Sequence, residues 1–253
     1  YGNRLHHEAE SALKELEKIV RRAIDTKGKI IIPTFAIERA QELVYYLHLL
    51  VDKKKIPQIP IYMDSPMAVN ATGIYQLHQE CYDEATKEAF LSHYKNPFGF
   101  NSMTFVQSVD ESKSLNDKQG PMIILSADGM CEAGRILYHL ANNISDPKNI
   151  ICIVGYMSEN TLGRKILDGE KEVKILGDWY KVNAEVVNID SFSAHADYQE
   201  SLEWLNTIDT SRLKKIFLVH GEKTGQEHMK QFLEDNGYEH VEIVKYGETY
   251  DLE

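Results

Sequence analysis

The chain is poor in cysteine and has no long apolar run, and each shortage excludes a class of protein. Its three cysteines, Cys81, Cys131 and Cys152, share no C-x-x-C spacing. This excludes a disulfide framework and a zinc knuckle, and it predicts reduced thiols in a cytoplasmic protein. No apolar run approaches the ~20 residues of a membrane helix, so no membrane association is predicted.

Positive charge is also in short supply. Lys and Arg number 28 against 39 Asp and Glu, which gives a net charge of −11. This excludes a global basic field for nucleic acid but leaves a local basic cleft open. The sequence contains neither a Walker loop nor a G-x-G-x-x-G fingerprint, so a mononucleotide cofactor is disfavoured.

Short apolar segments alternate with amphipathic segments through most of the chain. The helical period predicts helices over 5–24, 38–50, 69–91 and 133–144. Apolar runs predict strands over 29–32, 59–63, 104–106, 122–125 and 150–154. This alternation predicts a mostly parallel, doubly wound α/β sheet.

The pattern changes after residue 168. The segments 172–176 and 184–189 are predicted to form an antiparallel pair. A compact second unit follows, with helices over 198–206 and 226–236 and strands over 216–219 and 241–244. We expect a domain boundary between 182 and 190.

Loops rich in Gly, Ser, His and Asp leave the carboxyl ends of these strands. In open α/β sheets ligands bind at that edge, so the loops are expected to share one site. Two of them, at 126–130 and 160–164, enter helices and suit phosphates through backbone N–H groups. Arg135 and Arg164 would add charge there, although such turns also occur for packing reasons alone.

His195 precedes a predicted helix in the segment S-F-S-A-H-A-D. Ser193 can offer a hydroxyl to an anion, and a His at a helix N-terminus can donate a proton to a departing oxygen. In the simpler alternative, Asp197 caps the helix and His195 is an exposed turn residue. The residues alone favour that simpler alternative.

His220 directly follows an apolar strand and is followed by Gly221. A His held at a strand end suits a zinc ligand, with Glu222 as an acceptor that orients it. The alternative is a loop His beside a turn Gly, since one His does not define a zinc site.

The sequence resembles the β-CASP nucleases in a series of ordered segments. These are 1–6 (Y-G-N-R-L-H), 33–36 (P-T-F-A) with Arg39 and Gln41-Glu42, 64–68 (D-S-P-M-A), 126–135, 161–164 (T-L-G-R), 193–197 as motif B, 219–222 as motif C, and 245–248. Segments that keep their order along the whole chain are more specific than any one of them. The resemblance therefore favours the functional interpretation of His195 and His220.

The resemblance implies a doubly wound, mostly parallel β-CASP domain over 1–186, followed by the C-terminal part of a metallo-β-lactamase αββα fold over 187–253. It also implies that the His-x-His-x-Asp-His signature and the motif A carboxylate precede this chain. Two zinc ions are then expected in the full-length enzyme, and none on this part alone.

The same resemblance implies roles for single residues. His220 would ligate zinc, and His195 would be the general acid. A His in motif C is typical of the RNA-processing branch of the family, so the expected partner is RNA. The expected contacts to RNA are Ser126, Gly129, Met130, Arg135, Thr161, Gly163, Arg164 and Ser193.

Three functions remain open at this stage. The first is a zinc-dependent ribonuclease of RNA processing or decay. The second is a catalytically inactive β-CASP subunit that binds RNA or acts as a scaffold. The third is an α/β nucleotide-binding protein or sugar transferase. Endonucleolytic against 5′-exonucleolytic action, RNA preference and the formation of a homodimer also stay open.

Overall fold

The computed structural model describes residues 2–5, 9–91, 95–189, 192 and 195–250. The chain divides into a larger unit, residues 8–192, and a smaller unit, residues 193–253 together with 1–7. The assignment of 1–186 and 187–253 to two named domains stays a prediction.

The larger unit alternates strands and helices. Its helices are α1 Ala9–Thr26, α2 Arg39–Asp52, α3 Pro66–Leu77, α4 Glu84–Ala89, α5 Val109–Asp117, α6 Ile136–Asn143 and α7 Leu162–Leu167, with a 3₁₀ turn at Gln79–Cys81. Its strands are β1 Lys29–Pro33, β2 Ile61–Asp64, β3 Met103–Phe105, β4 Met122–Ser126, β5 Ile150–Ile153, β6 Glu172–Ile175, β7 Asp178–Lys181 and β8 Glu185–Asn188.

Six of these strands form one sheet in the order β3-β2-β4-β1-β5-β8, with every pair parallel. The central strand β1 is buried on both faces because its residues alternate between two cores. Ile30 and Ile32 pack with Leu43 of α2, whereas Ile31 packs on the other face with Leu140 of α6. The doubly wound α/β prediction is confirmed.

The predicted antiparallel pairing of 172–176 with 184–189 is wrong. The strand β6 pairs instead with β7, and the turn between them holds Leu176 at φ 52° and Gly177 at φ 98°. Two successive positive φ values match the right-handed twist of a hairpin and close it within two residues. The strand β8 is therefore free to join the main sheet, parallel to β5.

Helix α5 was absent from the sequence-based expectation, although its start carries a capping signal. The Ser108 hydroxyl accepts a hydrogen bond from the Glu111 N–H, and the Glu111 side chain accepts one from the Ser108 N–H. At the other end, the Lys29 ammonium donates to the carbonyls of Leu115 and Asn116. Burial lowers the pKa of Lys29.

The smaller unit contains α8 Tyr198–Thr207, β9 Ile216–Leu218, α9 Lys223–Asp235 and β10 Val241–Ile243. This confirms the predicted order of helix, strand, helix and strand, and β9 pairs in parallel with β10. Its small core joins Leu205, Leu233 and Val241. None of the described helices in either unit is both long and apolar enough to cross a bilayer.

The capping box of α5 generates a stability prediction. We expect Ser108→Ala to lower the free energy of unfolding by about 1 kcal/mol, because the Glu111 N–H at the helix start loses its acceptor. Ser114→Ala is the matched control, since Ser114 lies exposed in the same helix and its loss is expected to change stability by less than about 0.5 kcal/mol. Urea unfolding followed by circular dichroism measures both, and equal effects would contradict the capping role.

Candidate functional site

The carboxyl ends of β1, β2, β4 and β5 lie along one edge of the sheet. We call the loops that leave them, 34–38, 65, 127–135 and 154–161, the rim. Hydrogen bonds join these strand ends: the Thr34 N–H donates to the Ser126 carbonyl at 3.0 Å, and the Ser126 hydroxyl donates to the Asp64 carbonyl at 3.0 Å. These four loops were expected to share a site, and they meet at one edge of the larger unit.

The carboxylate of Asp64 lies fully buried at the end of β2. The His139 Nε2 and the Arg135 guanidinium each donate to it at 2.6 Å, and the Ser112 hydroxyl donates as well. Burial alone raises the pKa of Asp64. The hydrogen bonds from His139, Ser112 and Arg135 outweigh it and hold the pKa below its ordinary value of 3.8.

The Arg135 guanidinium is therefore held by partners in the interior of the rim. Besides its ion pair with Asp64, its guanidinium donates to the carbonyls of Val106 at 3.4 Å and Gln107 at 2.7 Å. In this structure the fork that would bind a phosphate holds a carboxylate and two carbonyls, and the expected phosphate contact of Arg135 stays a prediction.

Gln41 is the glutamine of the motif segment that follows P-T-F-A, and the structure shows what it contacts. Its side chain is buried, and its amide nitrogen donates to the carbonyls of Ala36 at 3.1 Å and Ala68 at 3.2 Å. Gln41 thereby ties the loop after β1 to the first turn of α3, which follows β2. The motif residue holds two parts of the rim together.

The loop 126–135 is folded around its own acid, Asp128. The Asp128 carboxylate accepts hydrogen bonds from the backbone N–H groups of Met130 at 2.7 Å, Glu132 at 2.8 Å and Ala133 at 3.1 Å. These N–H groups were expected to hold an RNA phosphate. In this structure the Asp128 carboxylate accepts hydrogen bonds from these N–H groups.

The N–H groups at the start of α7 are likewise engaged. Leu162 donates to the Glu132 carboxylate, Gly163 donates to the Met130 carbonyl at 3.1 Å, and Arg164 donates to the Thr161 hydroxyl at 3.2 Å. A side chain at Gly163 would lie 2.5 Å from the Met157 sulfur, so this glycine permits close packing of the two loops.

The structure thus gives most of the expected RNA contacts a structural partner. Ser126 is fully buried and its hydroxyl donates to the Asp64 carbonyl, and its expected contact with RNA stays a prediction. Gly129 packs against the backbone of Phe35, and the Arg164 guanidinium pairs with Asp168 at 2.9 Å. For Gly129, Met130, Thr161, Gly163 and Arg164, contact with RNA stays a prediction, and Ser193 lies outside the described residues.

Three apolar side chains on and beside the rim had not been singled out from the sequence. Phe35, Ile37 and Met67 are 50%, 58% and 62% exposed. Exposed apolar side chains beside a ligand edge mark a surface that another molecule or another part of the protein covers. The P-T-F-A and D-S-P-M-A motifs carried this signal, because an apolar residue follows each buried strand there.

His195 lies exposed in the smaller unit, two residues before the cap of α8. The Asp197 carboxylate accepts from the N–H groups of Gln199 and Glu200 at 2.9 Å, and Glu200 completes the capping box. The part of the simpler alternative that concerns Asp197 is therefore correct. Helix α8 is capped by Asp197 and not by the His195 imidazole.

His220 is exposed two residues beyond β9 and has a φ of 67°. Its carbonyl accepts a hydrogen bond from the Gln226 amide at 2.9 Å, and Gly221 follows at φ 97°. A left-handed backbone is uncommon for residues other than Gly, and among these Asn, Asp and His adopt it most often. The turn therefore holds His220 at some cost in conformational energy.

No group of three or more His, Cys, Asp or Glu side chains within the described ranges is arranged to hold a metal ion. Among the described residues, His220 is exposed and lies just beyond the carboxyl end of β9. The cysteines are free, with Cys81 exposed and the other two buried. Burial raises the pKa of Cys152 to about 12, and a thiol that stays protonated is a poor metal ligand.

Comparison with known proteins agrees with this arrangement of motifs. Residues 40–166 match the family model described as Beta-Casp domain. The chain belongs to the β-CASP family. Residues 179–244 match a second model, described as Zn-dependent metallo-hydrolase RNA specificity domain, and this match contains both His195 and His220.

Similar β-CASP proteins include ribonuclease TTHA0252 of Thermus thermophilus, which is 36% identical over 248 residues, 98% of this chain and 56% of that protein. Transcription termination factor FttA of Methanosarcina mazei is 30% identical over 88% of this chain and 36% of that protein. An RNase J-like protein of Methanocaldococcus jannaschii is 33% identical over 83% of this chain and 47% of that protein. The chain thus spans between about a third and somewhat over half of these relatives.

The Asp64 network generates a second stability prediction. We expect Asp64→Asn to lower the free energy of unfolding by about 3–5 kcal/mol, because Arg135 is left as a partly buried charge without its partner. The exposed Asp25 provides the control, and Asp25→Asn is expected to change stability by less than about 0.5 kcal/mol.

The same variant has a pH signature. The pKa of Asp64 is lower in the folded than in the unfolded protein. Its stabilising contribution is therefore complete above pH 3.8 and is lost as the pH falls through the pKa of the folded state. The stability gap between the wild type and Asp64→Asn should therefore narrow in acid. Urea unfolding at a series of pH values measures it, and a gap that stays constant would contradict the ionised network.

Proposed function

We propose that the protein containing this chain is a zinc-dependent ribonuclease that hydrolyses RNA phosphodiester bonds in RNA processing or decay. Its relatives include proteins named as ribonucleases, and its second family match is to a domain of RNA specificity. The observation that carries the proposal is the conformation of His220, an exposed imidazole kept in a left-handed turn at the end of β9.

The strained turn supports a functional role for His220. A Gly or Asn at this position would relieve the positive φ, and the imidazole is exposed and so contributes little to burial. Residues held in unfavourable backbone conformations cluster at functional sites, where the position of the side chain matters more than the local energy. We infer that His220 binds zinc through an imidazole nitrogen, with further ligands from outside this chain.

Zinc bound at such a site would supply the Lewis acidity that activates water for attack on phosphorus. His195 then acts on the leaving group as the general acid. It is exposed, and the cap of α8 is supplied by Asp197. A protonated His195 donates its proton to the departing 3′-oxygen and returns to the neutral imidazole.

Arg164 is the expected rim contact best suited to meet RNA. Its ion pair with Asp168 is on the same helix turn, with side-chain exposures of 26% and 56%. A partly exposed pair of this kind is worth only about 0–1 kcal/mol. Exchange of this one pair for a phosphate would cost little, whereas the buried pair of Arg135 with Asp64 does not exchange so readily.

The two histidines are expected to fail in different ways. In the full-length protein, His195→Ala should slow RNA cleavage by ~10²–10⁴-fold with the zinc content unchanged. His220→Ala should lower the zinc content as well as the rate. Metal analysis by mass spectrometry and cleavage of a labelled RNA measure both, with exposed His78→Ala as the control.

Two outcomes would contradict this assignment. If His195→Ala and His220→Ala change the zinc content alike, the roles of acid and ligand are wrong. If neither substitution alters cleavage, neither histidine takes part in the reaction. If the full-length protein binds RNA without cleaving it, the chain belongs to a scaffold subunit that binds RNA.

The chain by itself is expected to bind zinc weakly and to lack nuclease activity. One expected ligand does not close a tetrahedral zinc site, which takes four. Metal analysis after dialysis tests this directly. Zinc that remains in stoichiometric amount in the presence of a chelator would show that this chain holds a complete site.

A further inference from the structure

The hairpin of β6 and β7 exposes two large apolar side chains. Trp179 is 68% exposed and Leu176 is 51% exposed, the latter at a φ of 52° in the turn. The opposite side of the hairpin accounts for its attachment to the larger unit, because Val173 and Ile175 are buried in the core there. The indole of Trp179 therefore adds little to the stability of the fold.

Lysines surround the exposed indole. In the antiparallel register Lys174 lies directly opposite Trp179, and Lys181 follows two residues along on the same face, where Glu172 lies opposite it. Side chains opposite each other on one face have Cβ atoms about 5 Å apart. We call this surface of Lys174, Trp179 and Lys181 the hairpin face.

The positive charges on the hairpin face are available to a ligand. Lys171, Lys174 and Lys181 are exposed, and none of them forms an ion pair with any residue that the structure describes. Glu170 and Glu172 lie nearby. With Asp178 of β7, three acids balance the three lysines, so the hairpin is neutral in a chain whose total is −11.

An open cavity of about 590 Å³ lies beside the indole, lined by Trp179, Lys171 and Lys181 together with Glu170, Glu172, Val182 and Asn183. Its volume falls in the range of sites that hold a small molecule or one nucleotide. The cavity thus combines an aromatic face with ammonium groups.

The hairpin lies away from the rim. After it, the N–H groups of Asn183 and Ala184 donate to the Ile144 carbonyl at the end of α6, and the Glu185 N–H donates to the Asn149 carbonyl just before β5. These contacts place it at the amino ends of the strands, whereas the rim lies at their carboxyl ends. The amino and carboxyl ends of β5, which mark the positions of the hairpin and the rim, are roughly 13 Å apart, because the strand has four residues.

We propose that the hairpin face is an accessory binding site for single-stranded RNA. Trp179 stacks a nucleobase, and Lys174 and Lys181 contact the flanking phosphates. Aromatic side chains interleaved with basic ones are the means by which proteins hold single strands without reading their sequence. The match to the RNA specificity domain begins at residue 179 and so includes β7. The proposal rests on the proposed function in taking RNA as the substrate class.

The two tryptophans of the chain permit a direct test by fluorescence. Trp204→Phe leaves Trp179 as the single reporter, and Trp179→Phe leaves Trp204, which is 64% exposed and serves as the matched control. Each variant is titrated with a short oligoadenylate RNA in the presence of EDTA, which prevents cleavage. We expect saturable quenching of Trp179 and none of Trp204, because a stacked base quenches the indole that it covers.

Affinity provides the second readout, measured by the anisotropy of labelled RNA. Trp179→Ala should weaken binding at least about fivefold, whereas Trp204→Ala should not change it. Lys174→Gln and Lys181→Gln should each lower the slope of log affinity against log salt by roughly 0.7. All four side chains are exposed, so these variants are expected to fold, and circular dichroism verifies it.

The proposal is overturned if RNA leaves Trp179 emission unchanged, if it quenches both tryptophans alike, or if Trp179→Ala binds as tightly as the wild type. Emission that responds to chain concentration and not to RNA would assign the hairpin face to contacts between copies. Because no cleavage is involved, quenching in a protein that fails as a nuclease contradicts only the proposed function. Cleavage without quenching contradicts only the accessory site.

Discussion

Asp64 lies at the end of β2 with no exposed surface, and donors from α5, from α6 and from the residue before α6 converge on its carboxylate. A buried charge persists only when its hydrogen-bonding capacity is satisfied. The rim depends on this network, because Arg135 ends the loop 126–135 and is held by Asp64. Removing the carboxylate would release the loop that packs against the start of α7.

Several motif residues of the larger unit hold this edge together. Gln41 ties two parts of the rim together, Asp128 folds its own loop, and Gly163 permits the contact with Met157. The side chains left with exposed chemistry are different ones. They are His195 and His220 in the smaller unit, and Phe35 on the rim. Structural and chemical roles are thus divided among different residues of the same motifs.

The parallel α/β sheet could be predicted because its strands are continuous apolar runs, such as that of β1. A strand needs such a run only when both faces of its sheet are buried. The sequence did not predict β7, since D-W-Y-K shows no alternation of polar and apolar residues and pairs through the backbone turn at Leu176 and Gly177. The partners of Arg135 were equally out of reach, because an arginine beside glycines fits a phosphate and a buried carboxylate alike. Only the fold places Asp64 beside it.

The role of His195 as general acid is tested most directly with an RNA whose scissile 3′-oxygen is replaced by sulfur. A thiolate leaves without protonation, because a thiol has a pKa of about 8.5, far below that of a ribose hydroxyl. In the full-length protein, His195→Ala should therefore cleave the sulfur substrate at nearly the wild-type rate while remaining slow on the oxygen substrate. An equal deficit on both substrates would contradict proton donation by His195.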